Sequence, residues 1–157
     1  MDLYFLRHGD AEPAEAGLSD AERALTRKGQ KTTRAEAEGM ARLGVRPEVI
    51  LTSPLVRARE TADIVAEVLG TGPPVETELL ACGCRLGELQ QALAPHMGRS
   101  SVMVVGHEPD FGLLVGQLSG GSRVAMKKGG LARLSLYAVE PCAAELRWLL
   151  TPEHLLL

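Results

Sequence analysis

Two histidines and two arginines stand directly downstream of apolar runs. Leu3-Tyr4-Phe5-Leu6 ends in Arg7-His8-Gly9, Val49-Ile50-Leu51 leads into Ser53 and Arg57, and Ser101-Val102-Met103-Val104-Val105 ends in Gly106-His107. Charged and ionisable groups at the ends of buried runs are costly unless something anionic faces them. A histidine beside two guanidinium cations is a poor metal ligand but a suitable nucleophile for phosphoryl transfer. Neutral imidazole attacks phosphorus, and the cations stabilise the equatorial oxygens of the transition state. A second histidine can hydrogen-bond the same oxygens, and a glycine beside each histidine lets the backbone approach the ligand closely.

Arg57 carries an independent signal. It falls in the first turn of a helix, where a cation opposes the macrodipole at a cost of about 0.3–1 kcal/mol. A bound phosphate reverses that penalty, since helix N-termini and arginine forks both favour oxyanions. The competing reading pairs Arg57 with a neighbouring carboxylate such as Glu60 or Asp63, and for Arg59 such a pair is the simpler account.

These residues can meet only if the apolar runs are strands of one parallel sheet, whose C-terminal ends lie along a single edge. The pattern between them agrees. Thr26 is a good N-cap for a helix running to Leu43, stopped by Gly44, and its thin apolar stripe of Ala35, Met40, Ala41 and Leu43 predicts an exposed position. Ser53 as N-cap with Pro54 at the first helical position predicts a second helix to Leu69, ending at Gly70. A short strand is expected at Val75 to Thr77, then helices over Leu86 to Leu93 and Asp110 to Leu118. Leu131 to Val139 and Glu145 to Leu150 read as two strands joined by a turn near Glu140-Pro141, a hairpin at a sheet edge. Strands alternating with helices predict an α/β fold, mostly parallel, with helices on both faces and that hairpin at the edge.

Composition sets the bounds. The 157 residues fit one domain, with 45% hydrophobic and only 3% aromatic residues, so the core must be built from Leu, Val and Ala. A net charge of −3 argues against a nucleic-acid surface. No secretory or membrane-spanning segment is expected, and Cys82, Cys84 and Cys142 lack metal-ligand spacing and read as reduced thiols of a cytoplasmic protein.

Taken in order, the three strand ends resemble the signature of the histidine phosphatase superfamily, also called the phosphoglycerate-mutase-like group. Arg7-His8-Gly9 matches its first motif. Ser53-Pro54-Leu55-Val56-Arg57-Ala58-Arg59-Glu60-Thr61-Ala62 matches its Ser-Pro-x-x-Arg-x-x-x-Thr-Ala segment, and Gly106-His107 its late Gly-His. The short length, Arg7-His8-Gly9-Asp10-Ala11 and Asp20-Ala21-Glu22-Arg23-Ala24-Leu25-Thr26 are similar to the phosphohistidine phosphatases of the SixA type. The resemblance implies a three-layer α/β/α sandwich and no metal or organic cofactor. It implies His8 as nucleophile, Arg7, Arg57 and His107 around the phosphate, and Gly9, Arg23 and Ser53 as substrate-binding residues, Arg23 at the pocket mouth. The implied partner is a phosphohistidine-bearing protein such as a phosphorelay domain, or a small phosphorylated substrate, with no nucleic acid and no membrane.

The general acid has three candidates, Glu78, Glu88 and Glu108, none on an unambiguous motif position. A protonated imidazole already leaves readily whereas an alkoxide needs an acid, so a displaced acid leans towards a P–N substrate. A phosphomonoesterase of small metabolites would use the same residues, and a catalytically weak phosphate-binding module would retain the same pocket. A metal hydrolase built on His8, His107 and Asp10 is disfavoured by the adjacent arginines and the lack of ligand spacing.

Overall fold

A computed structural model of the chain describes every residue except Ala16. Six strands form one sheet: β1 (Asp2–Arg7), β2 (Val49–Thr52), β3 (Val75–Glu76), β4 (Ser101–Gly106), β5 (Leu131–Val139) and β6 (Cys142–Leu150). Their spatial order is β3-β2-β4-β1-β5-β6. The first four strands in that order run parallel, and β5 and β6 are antiparallel to their neighbours. The expected hairpin thus forms the edge, and its second strand begins earlier than expected, at Cys142 rather than Glu145.

Alternation along the strands builds two apolar layers. Leu3 and Phe5 of β1, with Val102 and Val104 of β4, face helices α3 (Leu86–Leu93) and α4 (Asp110–Leu118) through Leu89, Leu93, Phe111 and Val115. Tyr4, Leu6, Ile50, Met103 and Val105 face the other way, onto α1 (Arg27–Arg42), α2 (Val56–Leu69) and the short α5 (Pro152–Leu155). The result is the three-layer α/β/α sandwich. No helix among the described residues is long and apolar enough to cross a membrane.

Two local expectations need correction. Ser53 does not cap α2: its backbone N–H donates to the Val105 carbonyl at 3.0 Å, which prolongs the β2–β4 ladder by one residue. Helix α2 begins at Val56 with Leu55 as N-cap, and the Ser53 hydroxyl accepts from Leu55 N at 3.2 Å. Helix α1 does start at the Thr26 cap, whose Oγ1 accepts from Gly29 N at 2.8 Å. It is not merely peripheral, however. It buries Gly29, Thr33, Glu36, Ala37, Gly39 and Met40, and a Cβ on Gly39 would strike the backbone of Leu155. Close approach of small residues does the work there that an apolar count assigns to bulky ones.

Candidate active site

The ends of β1, β2 and β4 are joined by main-chain bonds. His8 N donates to the Gly106 carbonyl at 3.1 Å, beside the Ser53–Val105 bond. Arg7, His8, Ser53, Arg57 and His107 therefore converge at one sheet edge, although they come from distant parts of the chain. Gly106 has to be glycine, since a Cβ would lie 2.6 Å from the Phe111 ring.

His8 is 6% exposed, and its Nδ1 lies 2.8 Å from the Gly9 carbonyl. A carbonyl can only accept, so Nδ1 carries the proton and the lone pair lies on Nε2. Arg57 Nε–H donates to that Nε2 at 3.3 Å. Burial pushes the imidazole pKa down to about 3, and the fields of His107, Arg57 and Arg7 add to this against the opposing Gly9 bond. His8 is neutral at pH 7. Gly9 is held in turn by Thr61, whose Oγ1 accepts from Gly9 N at 3.1 Å and donates to the Arg57 carbonyl at 2.7 Å.

Arg57 is 4% exposed, the second residue of α2. Its Nη1 donates to the Asp20 carbonyl at 2.7 Å and its Nη2 to Asp20 Oδ2 at 3.0 Å. Burial works to raise the Asp20 carboxyl pKa, but Arg57 and Arg23 outweigh it and leave it lowered, hence ionised. Arg7 donates from Nη1 to the Met126 carbonyl at 2.8 Å, while its buried Nε has no partner. Burial lowers its pKa, opposed by the charge of Glu108, but a guanidinium keeps its proton at neutral pH.

The His107 ring centroid stands 5.2 Å from that of His8. Its Nε2 is 2.7 Å from Ser53 Oγ, and its Nδ1 is buried without a partner. Because Ser53 Oγ already accepts from Leu55 N, its proton is free for Nε2, an arrangement that puts the ring proton on Nδ1. Burial, with the Arg57 charge behind it, lowers the His107 pKa to about 4. The arrangement offers a neutral imidazole, two fixed cations and two buried donors without partners, one on Arg7 and one on His107.

Residues 3–82 match the histidine phosphatase superfamily (branch 1). The phosphohistidine phosphatase SixA of Escherichia coli (strain K12) is 35% identical over 130 residues, covering 80% of this chain and 79% of that protein. An uncharacterized protein of a Picosynechococcus strain is 38% identical over 144 residues, 85% of this chain and 84% of that one. A solved structure of the protein histidine phosphatase SixA complexed with tungstate superimposes with a TM-score of 0.87 at 29% identity, over 99% of both chains. The chain belongs to the histidine phosphatase superfamily. It is a phosphatase, a hydrolase of phosphoryl groups.

Around this phosphatase centre the remaining expected residues are distributed unequally. Arg23 does not touch His8 or Arg57. It pairs with Asp20 Oδ1 at 3.0 Å and donates to the Glu12 carbonyl at 3.1 Å, so it reaches the centre through Asp20. Arg59 pairs outward with Glu76 at 3.7 Å. Two of the three acid candidates are engaged in capping: Glu88 accepts from Arg85 N at 3.0 Å, and Glu108 from Gly112 N at 2.6 Å. Glu78 is exposed in the short helical turn of residues 78–80. Asp10, the carboxylate of the metal reading, is bonded to Lys128 at 2.8 Å and to the Thr26 hydroxyl at 3.2 Å.

Three residues of the site escaped sequence reasoning. Thr61 stood in the motif, yet its bond to Gly9 is invisible without the fold. Asp20 stood at the head of the segment of residues 20–26 with no role assigned to it. Asp110 looked like a helix-start residue, but is buried, accepts from Gly83 N at 2.7 Å and pairs with Arg85 at 2.5 Å. It thereby fixes the loop that carries Cys82, whose sulfur lies 4.0 Å from Arg57 Nη2. No local pattern reveals the partner of either carboxylate.

Proposed function

We propose that this phosphatase hydrolyses phosphohistidine on a partner protein, such as a phosphorelay domain, through a covalent phospho-His8 intermediate. It would act as one domain, in the cytoplasm. The observation that carries the reading is the state of His8: neutral, with its proton held on Nδ1 by Gly9 and its Nε2 lone pair facing the guanidinium of Arg57.

In the first step Nε2 of His8 attacks phosphorus, an Nε2–P bond forms, and the P–N bond to the substrate breaks. The leaving imidazole keeps its electron pair and departs neutral, because it entered protonated on its other nitrogen. Arg57 and Arg7 bear on the equatorial oxygens, and the Nδ1–H of His107 and the Nε–H of Arg7 are the unpartnered donors available to them. In the second step water attacks phosphorus, the Nε2–P bond breaks, and inorganic phosphate leaves with the proton that water gives up.

Support for a P–N rather than a P–O substrate comes from the carboxylates. Asp20, bonded to Arg57, is held ionised, and Glu88 and Glu108 are engaged with backbone N–H groups. An alkoxide leaving group needs an acid free to donate, which an imidazole does not, and these three carboxylates already have partners. The likeness to relatives called phosphohistidine phosphatases points the same way.

The test compares turnover of a phosphohistidine phosphorelay domain with a panel of sugar phosphates and nucleotides. The proposal expects the protein substrate to be preferred and an acid-labile phosphate to appear on the His8 peptide by mass spectrometry. Preference for an ester by orders of magnitude would replace the P–N assignment with a metabolite phosphatase. Absence of any phospho-His8, with activity unchanged in His8→Ala, would reduce the pocket to a binding site.

A further inference from the structure

Behind the catalytic loop lies a cavity of about 280 Å³ that none of Arg7, His8, Arg57 or His107 lines. Gly9, Asp10, Lys28, Thr33, Glu36 and Lys128 are among its walls. Its floor is acceptor-rich. Glu36, in the middle of α1, is 3% exposed, and its carboxylate has no hydrogen bond or ion pair among the described residues. The Thr33 hydroxyl, one turn earlier, is also buried without a partner. Gly129, with a positive φ of 74°, packs against the Glu36 carboxyl where a Cβ would collide with it. A buried carboxylate without a partner is among the most expensive features a fold can carry.

The rim has the opposite character. Lys28 forms no ion pair among the described residues, and Lys128 is paired to Asp10 at 2.8 Å. A bare cation would meet these ammonium groups on entry. A bare anion would meet Glu36 at the bottom. A divalent metal lacks ligands, since no group of three acidic, histidine or cysteine side chains suited to one occurs among the described residues. Lys128 does not itself neutralise Glu36, because its ammonium is committed to Asp10.

We propose that the cavity binds a small zwitterion of amino-acid size. Its ammonium group bonds the Glu36 carboxylate, and its carboxylate lies against Lys28 at the mouth. Ligand and floor then satisfy each other: the ammonium supplies the N–H donors that Glu36 lacks, and the carboxylate neutralises the Lys28 ammonium. The site lies one peptide from the nucleophile. Gly9 lines it and holds the His8 proton, and Gly129 N donates to the carbonyls of both Arg7 and His8 at 3.1 and 3.2 Å. Occupancy is therefore transmitted to the catalytic loop through two backbone contacts.

The experiment titrates the ¹⁵N-labelled protein with a panel of free α-amino acids, using methylammonium and acetate as half-molecules. The expected result is saturable shifts at the Gly9, Thr33, Glu36 and Gly129 amides with at least one amino acid. Each half-molecule binds at least about tenfold more weakly, and Glu36→Gln and Lys28→Ala each weaken the amino acid by at least about tenfold. Both variants are checked for a native spectrum, and Lys28→Ala, on an exposed side chain, serves if Glu36→Gln does not fold. The proposal fails if no amino acid saturates these amides, if methylammonium or acetate binds as tightly as the zwitterion, or if a folded variant binds unchanged.

Discussion

Arg57 points its Nε–H at the Nε2 lone pair of His8, 3.3 Å away, while Asp20 holds both terminal nitrogens of the same guanidinium. The arginine proposed to receive the phosphoryl oxygens thus already donates from all three of its nitrogens. Its geometry is thereby preset. Arg57→Lys keeps a charge but loses the fork, so kcat should fall by about 10²–10³ with the fold intact by circular dichroism. Retention of wild-type kcat would remove Arg57 from the transition state.

On the proposed reading, Asp20 competes with substrate for Arg57. Its side chain is largely exposed, and an ion pair with an exposed partner contributes about 0.2–1 kcal/mol. Asp20→Ala should therefore tighten inhibition by inorganic phosphate by about two- to fivefold, read from competitive inhibition constants. Weaker phosphate binding would mean that Asp20 orients Arg57 more than it occupies it.

Ser53 sets the tautomer of His107 through the 2.7 Å bond to Nε2. In Ser53→Ala that constraint is lost and the Nδ1–H donor is no longer assured. Turnover should drop by about tenfold or more, mainly in kcat, as for one lost hydrogen bond made in the transition state. A change confined to KM would contradict this role.

Legibility in the sequence followed the range of the interaction. The strand ends could be read because an apolar run stopping at Arg7-His8 or Gly106-His107 is a local event. Ser53-Pro54 was misread as a cap because the pair has the local form of one. What overrode it was a ladder bond to Val105, on a strand that begins almost fifty residues later. Asp20 could not be read, since its meaning lies in a contact with Arg57. Glu36 was the least visible, for a glutamate on a thinly apolar helix looks solvated until Gly129 and Pro152 close over it.

The buried imidazoles fix the acid side of stability. His8 and His107 have pKa values lowered from 6.5 to about 3 and about 4, so below pH 6.5 the unfolded chain binds protons that the folded chain refuses. This contribution to stability is full above 6.5 and is lost as pH falls towards those values, by on the order of 5 kcal/mol for His8 alone at the acid end. His8→Gln should flatten the slope of urea-unfolding free energy between about pH 5 and 6.5. An unchanged slope would show that His8 protonates freely in the fold.

Glu36 acts in the opposite sense. Burial, aided by the charge of Glu153, raises its pKa from 4.5 to about 7, so ionisation favours the unfolded chain as pH rises through that window. Glu36→Gln should gain on the order of 3 kcal/mol above pH 7 and little below pH 4.5, measured by urea unfolding without added ligand. Equal effects at both pH values would indicate that the carboxylate is already neutralised.

The main-chain bonds from His8 to Gly106 and from Ser53 to Val105 have a consequence for how such a protein can be altered. His8 and His107 are mounted on a rigid chassis of strand ends, whereas Asp20 and Cys82 arrive on connecting segments. Chemistry and admission are thereby separable. Substitutions at Asp20 or Cys82 should change which phosphorylated molecule is admitted while leaving intact the chemistry proposed for His8.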